Sequence, residues 1–122
     1  MLNIASKSIQ RKKNKSDGIR ICIMRRIEKV YDFDIWLPKL APPEELLKLY
    51  VIKKKITWNE FKKRFTKEVL IKNKEYVKIL ILLSKKKKIT LLCWEESPKK
   101  CHRRLVAEEC KRINSKLNVV LR

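Results

Sequence analysis

Everything about the architecture turns on KEYVKILILLSKKKKITLLCW, residues 74–94. Two apolar runs flank four consecutive lysines, Lys85–Lys88. Read as two strands, the stretch is a hairpin and the sheet is antiparallel. Read as helix, connection and strand, it is half of a crossover and the sheet is parallel. The connection holds no Gly, Asn or Asp, and four lysines suit a tight hairpin turn poorly. The first run is therefore read as a helix and KITLLCW, residues 88–94, as a short, largely apolar strand of the kind buried in parallel sheets.

Working outward, Cys101 to about Lys116 reads as a helix with Val106, Cys110, Ile113 and Leu117 on one stripe, and NVVLR as a final strand. Upstream, residues 58–70 form an amphipathic helix with Trp58, Phe61, Phe65 and Val69 on one face. Thr57 is its expected N-cap, with Glu60 placed to complete a capping box. Pro42 and Pro43 suit a helix start, with Glu44 and Glu45 near its positive end. IRICIM, residues 19–24, alternates as a strand, and the only glycine, Gly18, marks the turn before it. Residues 2–9 read as a short edge strand, and the segment from about 25 to 41 as a linker. The expected fold is a single α/β domain over residues 1–122, a short, largely parallel sheet flanked by helices. Its first 16 residues are a basic strand and loop.

The chain carries 33 Lys+Arg against 13 Asp+Glu, a formal charge of +20. So basic a surface attracts polyanions through counterion release, which makes nucleic acid an expected partner. Lysine-rich composition also arises without any such partner, as in adaptation to heat. The longest apolar run, residues 79–83, is far too short for a membrane span. The N-terminal stretch lacks the apolar core of a signal peptide. Four cysteines in such a chain are expected to be free thiols, and the expected compartment is the cytoplasm.

Chemistry-bearing residues concentrate in ITLLCWEESPKKCHRRLVAEEC, residues 89–110, which holds the only histidine and three of the four cysteines. In the layout above, Cys93 ends a strand, residues 95–100 form a loop, and Cys101, His102 and Arg103 open a helix. Ligands of open α/β sheets bind beyond the strands' carboxyl ends, beside helix N-termini, where free N–H groups favour anions. Arg103 adds a cation suited to phosphate or carboxylate. Cys101, at a helix start, has the stronger case for a thiolate. Cys93 reads as reactive or as an inert buried thiol, His102 as an acid/base or a first-turn surface residue. Glu95 either orients His102 or pairs with Arg103. The spacing Cys-x7-Cys-His is not a recognised metal pattern, so no metal is expected. Cys22 and Cys110 read as core.

CWEESPKKCHRRLVAE resembles the closing signature of the domain of unknown function 488 family: Cys-x-Glu, a short Pro-containing loop, then Cys-His-Arg opening a helix. Cys93, Glu95, Cys101, His102 and Arg103 take the matching positions. DGIRICIMRR, DIWLPKLAPPEEL and WNEFKKRF are similar to the family's other segments, so the resemblance spans most of residues 17–112. Typical members carry Asp-Arg-x-Trp-Pro-Arg-Gly after the first long strand. Here Arg25 matches the first arginine, Met24 replaces the aspartate, and Trp-Pro-Arg-Gly is absent. The resemblance implies an α/β fold and a recurrent polar site. It supplies no reaction.

Two functional readings follow. In the first, a small enzyme or ligand-binding protein holds an anionic, phosphate- or nucleotide-like molecule on Arg25 and Arg103, with Cys93, Glu95, Cys101 and His102 as catalytic candidates. In the second, a non-catalytic basic module binds DNA or RNA and the 93–103 cluster is structural. A single glycine excludes phosphate-binding loops, dinucleotide fingerprints and nucleophile elbows, so no cofactor is expected. No motif specifies an oligomeric state.

Overall fold

In the computed structural model, which describes residues 2–122, the contested stretch is a helix followed by a strand. The elements run β1 (Ile4–Ser8), β2 (Ile19–Cys22), β3 (Ile35–Trp36), α1 (Glu44–Leu47), α2 (Trp58–Phe65), α3 (Lys74–Lys86), β4 (Ile89–Cys93), α4 (His102–Ile113) and β5 (Val119–Val120). Wider π-type turns continue α1 through Ile52 and α2 through Ile71. Val77, Leu80, Ile81 and Ser84 are the buried positions of α3, the spacing of one helical face, while Ile79 and Leu82 remain exposed. That helical period is why residues 74–86 do not settle as a strand.

All five strands are parallel, in the order β3-β2-β4-β1-β5. β4 lies at the centre, with Ile89 opposite both Ile4 and Ile19 and Leu92 opposite both Lys7 and Cys22. Three expectations change here. β1 is an interior strand between β4 and β5 rather than an edge. The expected linker contains β3, whose two residues pair with Ile21 and Cys22 at the true edge; a strand that short carries no readable alternation. The last helix also stops at Ile113, which is half exposed, and Leu117 reaches the core from beyond it.

The sheet is helix-covered on one face only. Ile4, Ile21, Ile23, Ile89 and Leu91 pack against Leu46, Phe61, Phe65, Val77, Leu80, Val106 and Cys110 from the four helices. Each such buried aliphatic or aromatic side chain contributes about 1.5–3 kcal/mol. Ile9, Cys22 and Leu92 face the other way and are covered by Met24, Ile27, Tyr31 and Phe33, with no helix residue among them. On that side Lys7 and Arg20 both bond the buried Asp17, at 3.1 and 2.5 Å. Thr57 and Glu60 form the expected capping box of α2. Gly18 has φ +67°, and a Cβ there would stand 2.1 Å from the Lys88 carbonyl oxygen, so no other residue fits.

The connection after β2 crosses the loop-covered face, whereas the connection after β4 carries α4 across the helix face. β2 and β4 are neighbours. Their carboxyl ends therefore flank a topological switch point, where open α/β sheets form their crevice. Among the described residues no helix is long and apolar enough to cross a membrane.

Candidate functional site

β4 ends at Cys93 and β2 delivers Ile23 just past its last residue, while Cys101 is the N-cap of α4 and His102 its first residue. These three termini converge. Cys101 Sγ lies 2.8 Å from Cys93 Sγ, and His102 Nδ1 lies 3.4 Å from Cys93 Sγ and 4.0 Å from Cys101 Sγ. All three side chains are buried, yet all three line a cavity of about 260 Å³. Its other walls are mostly apolar, from Tyr50, Val51, Phe61 and Trp94, with Arg25, Arg26, Glu44 and Lys100 among the charged lining residues.

His102 Nε2 lies 2.6 Å from the Ile23 carbonyl oxygen. A carbonyl only accepts, so neutral imidazole carries its proton on Nε2 and turns the Nδ1 lone pair toward the sulfurs. The Phe65 ring packs beside the imidazole at 5.8 Å and fixes its plane. Sequence reasoning could not find the Ile23 carbonyl, because a main-chain acceptor leaves no residue signature.

The two thiols share one site unequally. Cys93 is held below the ordinary thiol value, first because the Cys101 S–H donates to it. Burial opposes this, while the Glu95 N–H, the charge of Arg103 and the Trp94 N–H add to it. Cys101 is pushed up to about 12, by the same bond to Cys93 and then by burial, with His102 partly offsetting. Of the two thiols, Cys93 is therefore the one that gives up its proton more readily. The helix-start argument had favoured Cys101, but that sulfur spends its proton stabilising its neighbour. Cys22 and Cys110 are buried in the core, as read from the sequence, and burial raises both.

Arg103 is fully buried beneath the cluster and does not line the cavity. Its Nη1 donates to the Glu95 carbonyl at 2.6 Å and to Cys101 Sγ at 3.4 Å. Its Nη2 donates to the carbonyls of Glu96 and Arg122 at 3.1 and 2.9 Å. Four of its five N–H groups are committed, and Nε alone has no partner. The Glu95 side chain is exposed and lines the cavity; its carboxylate neither orients His102 nor pairs with Arg103. Arg25 is exposed, bonds the Pro42 carbonyl through Nε at 3.1 Å, and faces the cavity. Arg26, which also lines it, pairs with Glu44 at 2.6 Å. The segment where the family's Trp-Pro-Arg-Gly is missing begins beside the cleft, since Met24, Arg25 and Arg26 form one of its walls.

The model of the active DUF488-N3 subclade, DUF488-N3a, matches residues 4–113. The chain belongs to that family. The match takes in four of the five strands, all four helices and the whole 93–103 cluster. No curated protein and no solved structure matches the chain. In this DUF488-N3 protein, Cys93, Cys101 and His102 also form the one set among the described residues whose donors could hold a metal ion, all within 4.8 Å of one another. The spacing rule had pointed away from metal because it counts residues along the chain, whereas the sheet end and helix start bring these donors together in space.

Proposed function

We propose that this DUF488-N3 protein is a small enzyme that uses Cys93 as a nucleophile on an anionic, phosphate- or nucleotide-like substrate held in the cleft. The observation that carries this reading is the fixed imidazole: with Nε2–H committed to Ile23, Nδ1 faces Cys93 Sγ at 3.4 Å. A base within reach of a thiol, itself oriented by a third group, is the constellation of nucleophilic catalysis. The description of the matching subclade as active favours an enzyme over a relic. Arg25, Arg26 and Lys100 supply cations for the anionic group, and the apolar walls suit a ring or chain attached to it.

In the proposed step the Cys93 proton passes to His102 Nδ1 and the sulfur attacks the substrate's electrophilic atom. A bond from Sγ to that atom forms, the bond to the leaving group breaks, and His102 returns the proton to the leaving group. Water then releases the transferred group and restores the thiol. Arg103 holds the 95–96 loop and places a positive charge beside both sulfurs.

The test is iodoacetamide alkylation across pH, with each cysteine mapped by mass spectrometry. Cys93 should react first and below the ordinary thiol pKa of about 8.5, His102→Gln should slow it, and inorganic phosphate should protect it in wild type more than in Arg25→Ala. Equal reactivity of all four thiols only on unfolding would sink the proposal. The +20 charge favours a second reading, a non-catalytic grip on DNA or RNA through exposed lysines such as Lys85–Lys87. Binding that falls steeply with salt and is lost on replacing those lysines, with Arg25→Ala neutral, would support it.

A further inference from the structure

The reactive-cysteine reading leaves one feature without a role: the second thiol. Cys101 Sγ touches Cys93 Sγ at 2.8 Å with no atom between, and both face the same cavity. A nucleophile needs no sulfur for a hydrogen-bond donor; a hydroxyl would serve. The remaining cysteines cannot compete for this contact. Cys22 faces the opposite side of the sheet, and Cys110 lies two turns further along α4 in the helix-side core.

We propose that Cys93 and Cys101 are a redox pair, in which a small hydroperoxide oxidises Cys93 and Cys101 resolves the product to a disulfide that closes the site. The proposal rests on the nucleophilic character of Cys93 argued above. Cys93 passes its proton to His102 Nδ1, 3.4 Å away, and the thiolate so formed attacks the distal oxygen of the hydroperoxide. The S–O bond forms as the O–O bond breaks, and the departing alkoxide or hydroxide takes the proton held at His102 Nδ1. Cys93 is then a sulfenic acid. Cys101 passes its proton to Nδ1, 4.0 Å away, and its sulfur attacks the sulfenic sulfur. The S–S bond forms, the S–O bond breaks, and hydroxide leaves as water with the proton from His102. In sum two thiols and one hydroperoxide give one disulfide, one alcohol or water, and one further water. The two electrons come from the thiols.

Three observations favour this chemistry. The sulfurs must close from 2.8 Å to the bonded length of about 2.05 Å, less than one ångström of travel. Both cysteines stand at element ends, Cys93 as the last residue of β4 and Cys101 as the N-cap of α4, so neither lies inside a helix or strand. The cleft opens onto both sulfurs, so a small hydroperoxide reaches Cys93, and Cys101 lies nearer to the resulting sulfenic acid than any thiol from solution.

The experiment uses the reduced full chain treated with one equivalent of hydrogen peroxide, followed by intact mass and non-reducing peptide mapping. Wild type should lose the mass of two hydrogen atoms, link residue 93 to residue 101, and recover with dithiothreitol. Cys101→Ser should instead accumulate a dimedone-trapped sulfenic acid at Cys93, and Cys93→Ser should do neither. Iodoacetamide reactivity of the same reduced sample is measured in parallel. A reactive Cys93 that over-oxidises to sulfinic acid without forming the disulfide overturns the pair and spares the nucleophile. An unreactive Cys93 with no disulfide overturns both.

Discussion

Replacing Arg103 separates a cation that holds the site from one that binds a ligand. In Arg103→Ala the Glu95, Glu96 and Arg122 carbonyls lose a charged donor, and Cys101 Sγ loses its contact with Nη1. Hydrogen bonds from a charged donor are worth about 1.5–3 kcal/mol each. They share one side chain, so they do not add in full, and the loop carbonyls recover part of the loss from water. A net cost of about 4 kcal/mol follows from three to four such bonds after that discount. Unfolding entropy of about 2.1 cal/mol/K per residue, over 122 residues, is roughly 0.26 kcal/mol/K, so Tm should fall by about 15 °C. Arg103→Lys should fall between, because an ammonium cannot span three carbonyls. Arg25→Ala, on the exposed rim, should stay within about 2 °C of wild type, since such substitutions usually move stability by no more than about 0.5 kcal/mol. The assay is thermal unfolding followed by circular dichroism, beside phosphate protection of Cys93. If Arg103→Ala melts within a few degrees of wild type yet loses all phosphate protection, the reasoning is wrong and Arg103 is a ligand cation.

Other consequences can be measured alongside. Cys101→Ala removes the leading stabiliser of the Cys93 thiolate; at about 1.5 kcal/mol for a bond to a charged acceptor, alkylation at slightly acid pH should slow about tenfold, and an unchanged rate would refute the shared-thiolate account. Gly18→Ala should destabilise by more than about 2 kcal/mol in a denaturant titration, because positive φ adds to a direct clash with Lys88; near-neutral behaviour would contradict the turn. Burial pushes the Asp17 carboxyl up, but the Asn14 N–H, Lys7 and Arg20 together outweigh it and lower its pKa. Its stabilising effect is therefore full above the unfolded value of about 3.9 and is lost as pH falls through the folded value. Asp17→Asn should cost about 3 kcal/mol at neutral pH, with the gap closing only in acid; a gap independent of pH would refute the triad. Zinc held by Cys93, Cys101 and His102 should protect both thiols together, and protection of neither, with no thiolate-to-metal band when cobalt is substituted, would show that the three donors do not close around an ion.

Helical period and turn chemistry are local properties, and they sufficed for much of this chain. Residues 74–86 bury every third or fourth position and are followed by lysines that cannot make a hairpin turn, so a crossover and a parallel sheet were legible. The capping box at Thr57 and Glu60, the turn at Gly18 and the concentration of Cys, His and Arg at 93–103 were legible for the same reason. What depended on distant segments was not. β1 became an interior strand because β5, more than a hundred residues later, pairs with it. β3 exists because β2 offers an open edge, not because Ile35 and Trp36 demand a strand. Glu95 and Arg103 have the composition of an ion pair, yet the folded loop turns its carbonyls toward the guanidinium and the carboxylate toward water. Which cysteine ionises more readily depends on the Cys101 S–H, two main-chain N–H groups and a buried charge converging on Cys93. Electrostatic environments are sums over neighbours in space, and only the tertiary structure names the neighbours.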